Sequence, residues 1–112
     1  MADCLFCSIA GGERPAGLAA ESKGVLAIRD INPVAPTHVL LIPKRHVESA
    51  ARLGEGDQEL LGEIFGLARQ IAADEGLDGW RLVTNVGASG GQAVGHLHFH
   101  LLGGRQMGWP PG

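Results

Sequence analysis

Positive charge is scarce in this chain. Nine lysines and arginines face twelve acidic residues, for a formal net charge of −3. That balance argues against general attraction to nucleic acid or to acidic membranes. Neither partner is expected, although the local cluster Lys44-Arg45-His46 can still meet one anionic ligand. Long apolar runs are missing too, and no stretch approaches the roughly 20 residues of a membrane span. The start, Met1-Ala2-Asp3-Cys4, has neither the basic region nor the apolar run of a signal peptide, so a cytoplasmic protein is expected. Cysteine is limited to Cys4 and Cys7, spaced as C-x-x-C. In a reducing compartment this pair does not form a structural disulfide. Zinc binding and thioredoxin-like redox chemistry are the usual readings of the spacing. The redox reading wants a strand before the pair, and none precedes residue 4. Internal repeats, linkers and low-complexity tracts are also absent. With 45% hydrophobic and 19% charged residues, the chain describes one soluble globular domain over 1–112.

What is present divides into a few elements. Leu5, Phe6 and Ile9 stand at helical spacing and predict a short N-terminal helix ending at Gly11-Gly12. "GVLAIRDI" (24–31) and "THVLLIP" (37–43) read as strands, the second stopped by Pro43. Asn32-Pro33 and Pro36 force a turn between them, giving a hairpin-like antiparallel pair. Leu60, Leu61, Ile64, Phe65, Ala68, Ile71 and Ala72 form the apolar stripe of a helix over 57–75, with Asp57 as its cap and Gly76 as its end. "WRLVTN" (80–85) alternates as a strand. "VGASGGQAVG" (86–95) is too rich in glycine for regular structure, and "HLHFHLL" (96–102) is the final strand. Strands, one long helix, then strands predict an α+β domain with an antiparallel sheet.

Three of the five histidines occupy alternate positions in that last segment. On a strand His96, His98 and His100 share one face, and Leu97, Phe99 and Leu101 take the other, against the helix. Residues two apart on a strand stand roughly 6–7 Å from each other, close enough for several imidazoles to surround one ligand. A polar strand face is one reading, and a triple-histidine metal site is another. No Asp or Glu lies near residues 86–105 to complete such a metal site. The third reading joins the strand to its loop. "GASGGQ" offers a run of backbone N–H groups of the kind that cradles phosphate. Imidazole, with an unperturbed pKa of about 6.5, is available as nucleophile or proton carrier. Together these suggest phosphoryl or nucleotidyl transfer through histidine.

"GHLHFHLLGG" resembles the His-x-His-x-His-x-x signature of the histidine triad (HIT) hydrolases. "RDINPVAPTHVLLIPKRH" and "GGQAVGHLHFHLLGGRQMGWPPG" are similar to the histidine triad nucleotide-binding (Hint) branch of that superfamily. The resemblance implies an α+β fold whose sheet continues across a homodimer, and hydrolysis of purine nucleoside 5′-phosphoramidates. It makes His98 the nucleophile that attacks the α-phosphorus, with His38, His96 and His100 around it. No metal is required for that chemistry. It also assigns Asp30 to the ribose hydroxyls, and Phe6, Ile9, Ile28 and Ile31 to the purine. Asn85, Gly91 and Gln92 would hold the phosphate, and Trp109 would stand near the leaving group at the partner's site. Asp30 has a simpler rival role in starting the turn at Asn32-Pro33, and the isoleucines could be plain core.

This chain departs from the branch at three places. Ala93 replaces a serine placed to hydrogen-bond the departing nitrogen, Gly95 replaces a larger residue, and Gly108 stands where histidine is frequent. These changes motivate two alternatives: a nucleotide-binding module of low turnover that works through protein contacts, or another HIT-type nucleotidyl hydrolase. Cys4 and Cys7 match bacterial relatives with a structural zinc, whose ligand set maps here to Cys4, Cys7, His46 and His96. A Cys₂His₂ set suits tetrahedral zinc. If zinc holds His96, that ring does not also serve beside the nucleophile.

Overall fold

The computed structural model describes residues 4–112. A short helix α1 (Leu5–Ala10) precedes strands β1 (Leu18–Glu21), β2 (Val25–Arg29) and β3 (Thr37–Pro43). Two 3₁₀ turns, Ala50–Arg52 and Glu55–Asp57, lead into the long helix α2 (Gln58–Asp74), followed by β4 (Trp80–Thr84) and β5 (Phe99–Gly103). The strands form one sheet in the order β1-β2-β3-β5-β4, and every neighbouring pair is antiparallel. The α+β architecture and the β2–β3 pair agree with the sequence expectation.

The continuous apolar run of β3 has a simple cause: both faces of the sheet centre are covered. Val25, Ala27, Val39, Leu41, Leu97, Phe99 and Leu101 pack under α2 against Ile64, Leu67, Ala68 and Ile71. Leu26, Ile28, Leu40 and Ile42 point the other way, and Phe6 of α1 covers them together with Ile9 and Val94. Burying one such side chain stabilises by about 1.5–3 kcal/mol. A second, smaller apolar layer therefore lies on the face that also carries the histidines.

Several local expectations are corrected. Strand β1 was not anticipated, because Leu-Ala-Ala-Glu carries little β-propensity and its register is broken between Leu18 and Ala20. Phe65 is 52% exposed, while Leu67 joins the core in its place. Asp57 does not cap α2 through its side chain; its carboxylate accepts from Gly54 N (2.9 Å) and pairs with Arg45. Gly76, at φ +67°, ends the helix as expected. The Lys44-Arg45-His46 cluster is not open to an anion. Lys44 pairs with Glu21, Arg45 with Asp57, and His46 faces Cys7.

The final strand begins at Phe99, three residues later than expected. Leu41 opposite Phe99 is the last pair of the β3–β5 ladder. The next hydrogen-bonding step would fall at Pro43, which has no N–H to donate. Residues 96–98 are held instead by other groups: Leu97 N donates to Val47 O (2.6 Å) and Thr84 Oγ1 to His98 O (2.8 Å). The triad therefore straddles the strand's start, with His100 inside it and His96 and His98 before it.

Candidate active site

His98 is fixed by its own neighbourhood. Its Nδ1 lies 2.7 Å from His96 O, and a carbonyl can only accept, so Nδ1 carries the proton. The lone pair is left on Nε2. Phe6 packs edge-on against the ring at 4.9 Å between centroids, and His100 stands at 5.1 Å. The residue is only 7% exposed, more buried than a freely accessible nucleophile. Yet Nε2 has no partner among the described residues, and none of their buried side-chain nitrogens or oxygens lacks one. Nε2 is therefore the edge of the ring that reaches solvent.

On the far side of His98 a second chain of groups begins. Register places Leu40 opposite His100 and His38 opposite Leu102, so the two histidines are diagonal neighbours on one face. Val34 N donates to His38 Nδ1 (3.1 Å), which puts the His38 proton on Nε2. That N–H points at His100 Nδ1 (2.9 Å), with Asp30 Oδ2 beside it at 3.4 Å. His100 thus keeps its own proton on Nε2. Burial pushes His38 below the usual imidazole range, against the opposing pull of Asp30. Burial also lowers His100, helped by the charges of His98 and His38. Both rings are neutral near pH 7. Asp30 also serves its local role, accepting from Asn32 N (2.8 Å) at the turn.

Beside this row lies an open cavity of about 400 Å³. Phe6, Ile9, Ile28, Asp30 and Ile31 all line it, so the residues expected to hold a purine and its ribose come together. Ile28 is also core, but Ile31 is 91% exposed among the described residues. Sequence reasoning missed Arg14 and Gly17 in the same wall. Their segment, "ERPAG", carries no periodicity to flag it.

The glycine-rich loop is folded back on itself. Gly91, at φ +85°, closes a turn in which Gly91 N bonds Ala88 O and Gln92 N bonds Gly87 O. A Cβ on Gly90 would meet Val86 O at 2.2 Å, so that position admits no side chain. The Gln92 amide is fully engaged with backbone, accepting from Gly87 N and donating to Glu48 O and Val94 O. Asn85 lines a second cavity, of about 420 Å³, with His38 and His100. Arg81, Arg105 and the tail residues Met107, Gly108, Pro110 and Pro111 close it, whereas Trp109 is 83% exposed.

His96 does not share the site with His98 and His100. Its ring is fully buried and turned toward Cys4, Cys7 and His46. The ligand atoms of these four residues all lie within 4.8 Å of one another. His96 Nε2 donates to Pro43 O (2.8 Å), which leaves Nδ1 as a lone pair facing Cys4 Sγ (3.2 Å) and Cys7 Sγ (3.5 Å). His46 Nδ1 stands 3.2 Å from Cys7 Sγ. Ligand atoms around tetrahedral zinc are about 3.3–3.8 Å apart, so the donor set fits that ion with little adjustment. A carbonyl holding the non-ligating nitrogen is the usual outer support of a metal-bound imidazole.

The HIT domain family matches residues 11–107. The chain belongs to the HIT domain family. A HIT family hydrolase from Legionella pneumophila is 54% identical, with a TM-score of 0.96 over 98% of this chain and 100% of that one. The "14 kDa zinc-binding protein" of Zea mays is 50% identical over 111 residues, covering 96% of this chain and 87% of the relative. A hypothetical histidine triad nucleotide-binding protein from Sulfolobus tokodaii is 35% identical, with a TM-score of 0.81 over 96% of this chain and 72% of that one. Among the described residues of this HIT protein, no helix is long and apolar enough to cross a membrane.

Proposed function

We propose that this HIT protein is a Hint-branch hydrolase of purine nucleoside 5′-phosphoramidates, acting as a homodimer through a nucleotidyl-His98 intermediate. The observation that carries the reading is the hydrogen bond from His98 Nδ1 to His96 O, which leaves Nε2 as the free nucleophilic edge. In the first step Nε2 bonds to the α-phosphorus and the P–N bond breaks. The amine leaves with a proton from solvent, since Ala93 offers no hydroxyl there. The ring becomes cationic, and its Nδ1–H stays on the carbonyl. In the second step water attacks phosphorus, the P–Nε2 bond breaks, and the nucleoside monophosphate departs. Splitting the reaction in this way is covalent catalysis. Neutral His100 presents its Nε2–H to a phosphate oxygen, while His38 and Asp30 hold its tautomer. Phe6, Ile9, Ile28 and Ile31 embrace the purine, and Asp30 accepts from the ribose. Asn85 meets the phosphate; Gly91, whose N–H is held by Ala88 O, acts instead by closing the turn, and Gln92 by tying the same loop. Trp109, exposed in the single chain, reaches the leaving group across the dimer.

The same reading gives the chain a structural zinc at Cys4, Cys7, His46 and His96, with no part in bond breaking. The name of the maize relative supports it, as does the fit of the donor set. Four protein ligands close such a site and leave no open position for substrate. A steady-state assay of the zinc-loaded protein with an adenosine 5′-phosphoramidate is the test, and release of amine and AMP is expected. AMP binding without measurable release would instead favour the low-turnover binding module, the reading that Ala93 motivates.

A further inference from the structure

The thiol–imidazole cluster and the nucleophile are joined by one residue, and that junction has a consequence. Resting on the reading of the site as a nucleotide site and of the cluster as a zinc centre, we infer that His96 is a positioning residue. Through it, metal loading sets both the orientation of His98 and the shape of the base cavity.

Three bonds of His96 carry this. Its Nδ1 belongs to the cluster, its Nε2–H is held by Pro43 O, and its main-chain carbonyl takes the Nδ1–H of His98. A ring held at both nitrogens fixes its own backbone, and that backbone fixes the tautomer of His98.

The second link is α1. Six residues are too few for a helix to persist by its own hydrogen bonds. Its anchors are Phe6, packed against both His96 (6.0 Å) and His98 (4.9 Å), and the two thiols that flank Phe6 in sequence. Cys4 also caps the helix, accepting from Cys7 N at 3.3 Å. The same helix supplies Leu5, Phe6 and Ile9 to the cavity wall. Bound zinc would hold the thiols as thiolates and staple α1 to His46 and His96. Without a cation, neutral thiols offer only weak S–H bonds. Loss of metal then loosens the cavity wall and the support of His98 together, while the α2 face keeps its core.

The test uses full-length protein, zinc-loaded and zinc-stripped, with zinc per chain measured by atomic absorption. Two readouts need no turnover: AMP affinity by calorimetry, and the His98 ring tautomer by long-range ¹H–¹⁵N correlation. We expect stripping to weaken AMP binding about tenfold or more by loss of preorganisation. It should also turn a single Nδ1–H tautomer of His98 into a mixture, and added zinc should restore both. Far-UV circular dichroism should change little. Cys4→Ser and Cys7→Ser should reproduce the stripped state and ignore added zinc; if they fail to fold, stripped and reloaded wild type decides. A chain that binds one zinc yet keeps its AMP affinity and tautomer when stripped overturns the inference, as does a chain that binds none. Zinc-responsive affinity and tautomer without phosphoramidate hydrolysis would uphold the coupling and remove the hydrolase reading. Hydrolysis with unresponsive readouts would remove only the coupling.

Discussion

His96 and His100 flank the same residue at the same spacing, carry the same ring and sit in different chemistry. The first is sealed among two thiols, a histidine and a carbonyl; the second is half-buried and opens, through His38 and Asp30, onto the solvent side of the sheet. The difference arises because the strand starts between them. Inside the ladder His100 must share the face of His38, whereas His96, beyond the last pair, is free to turn toward the N-terminus. One sequence repeat thereby enters two different environments, and the proposed nucleophile stands between them.

Substitution at the centre should have the largest effect. His98→Asn is expected to reduce phosphoramidate turnover on the order of 10³-fold or more while AMP binding persists, measured by amine release and calorimetry. The two flanks should then separate. His96→Ala removes a fully buried ring and strands the Pro43 carbonyl, so a stability loss of about 2–4 kcal/mol in urea unfolding is expected. His100→Ala should cost less stability but about 10²-fold in kcat, through the lost N–H donor. Equal stability losses at the two positions would dissolve the contrast.

Acid sharpens the comparison on the His100 side. Burial holds His38 and His100 below the ordinary imidazole range, so the unfolded chain binds protons there first. Stability from these two rings is therefore full above about pH 6.5 and falls as pH drops toward their lowered folded values. The melting temperature should decline across that window, and a His38→Gln/His100→Gln double variant should show a shallower decline. The smallest effect belongs to the main chain at the strand's start. Thr84→Val removes the hydrogen bond to His98 O and should cost about 1 kcal/mol, read from chemical unfolding.

Much of this was legible from periodicity. The stripe at Ile64, Ala68, Ile71 and Ala72, the alternation of Leu97, Phe99 and Leu101, and the turn at Asn32-Pro33 each follow from a side-chain period or a backbone constraint. The thiol pair was legible from its C-x-x-C spacing, but the two histidines that complete it were legible only through family likeness, because His96 lies 92 residues from Cys4. Strand β1 was not legible: alanines carry no pattern, and its pairing is decided by the neighbour that β2 offers. Nor was the late start of β5, which depends on a proline in a different strand. Arg14 and Gly17 escaped because a cavity wall built from an irregular segment leaves no periodic trace.

The proposed reaction turns on one bond, between His98 Nε2 and phosphorus. Protein mixed with an adenosine phosphoramidate should be quenched in acid-free denaturant within a turnover, digested, and its peptides weighed. One nucleotidyl adduct is expected, on the peptide that contains His98 and lost in His98→Asn. Turnover that proceeds with no adduct, or with the nucleotide on another residue, would contradict it.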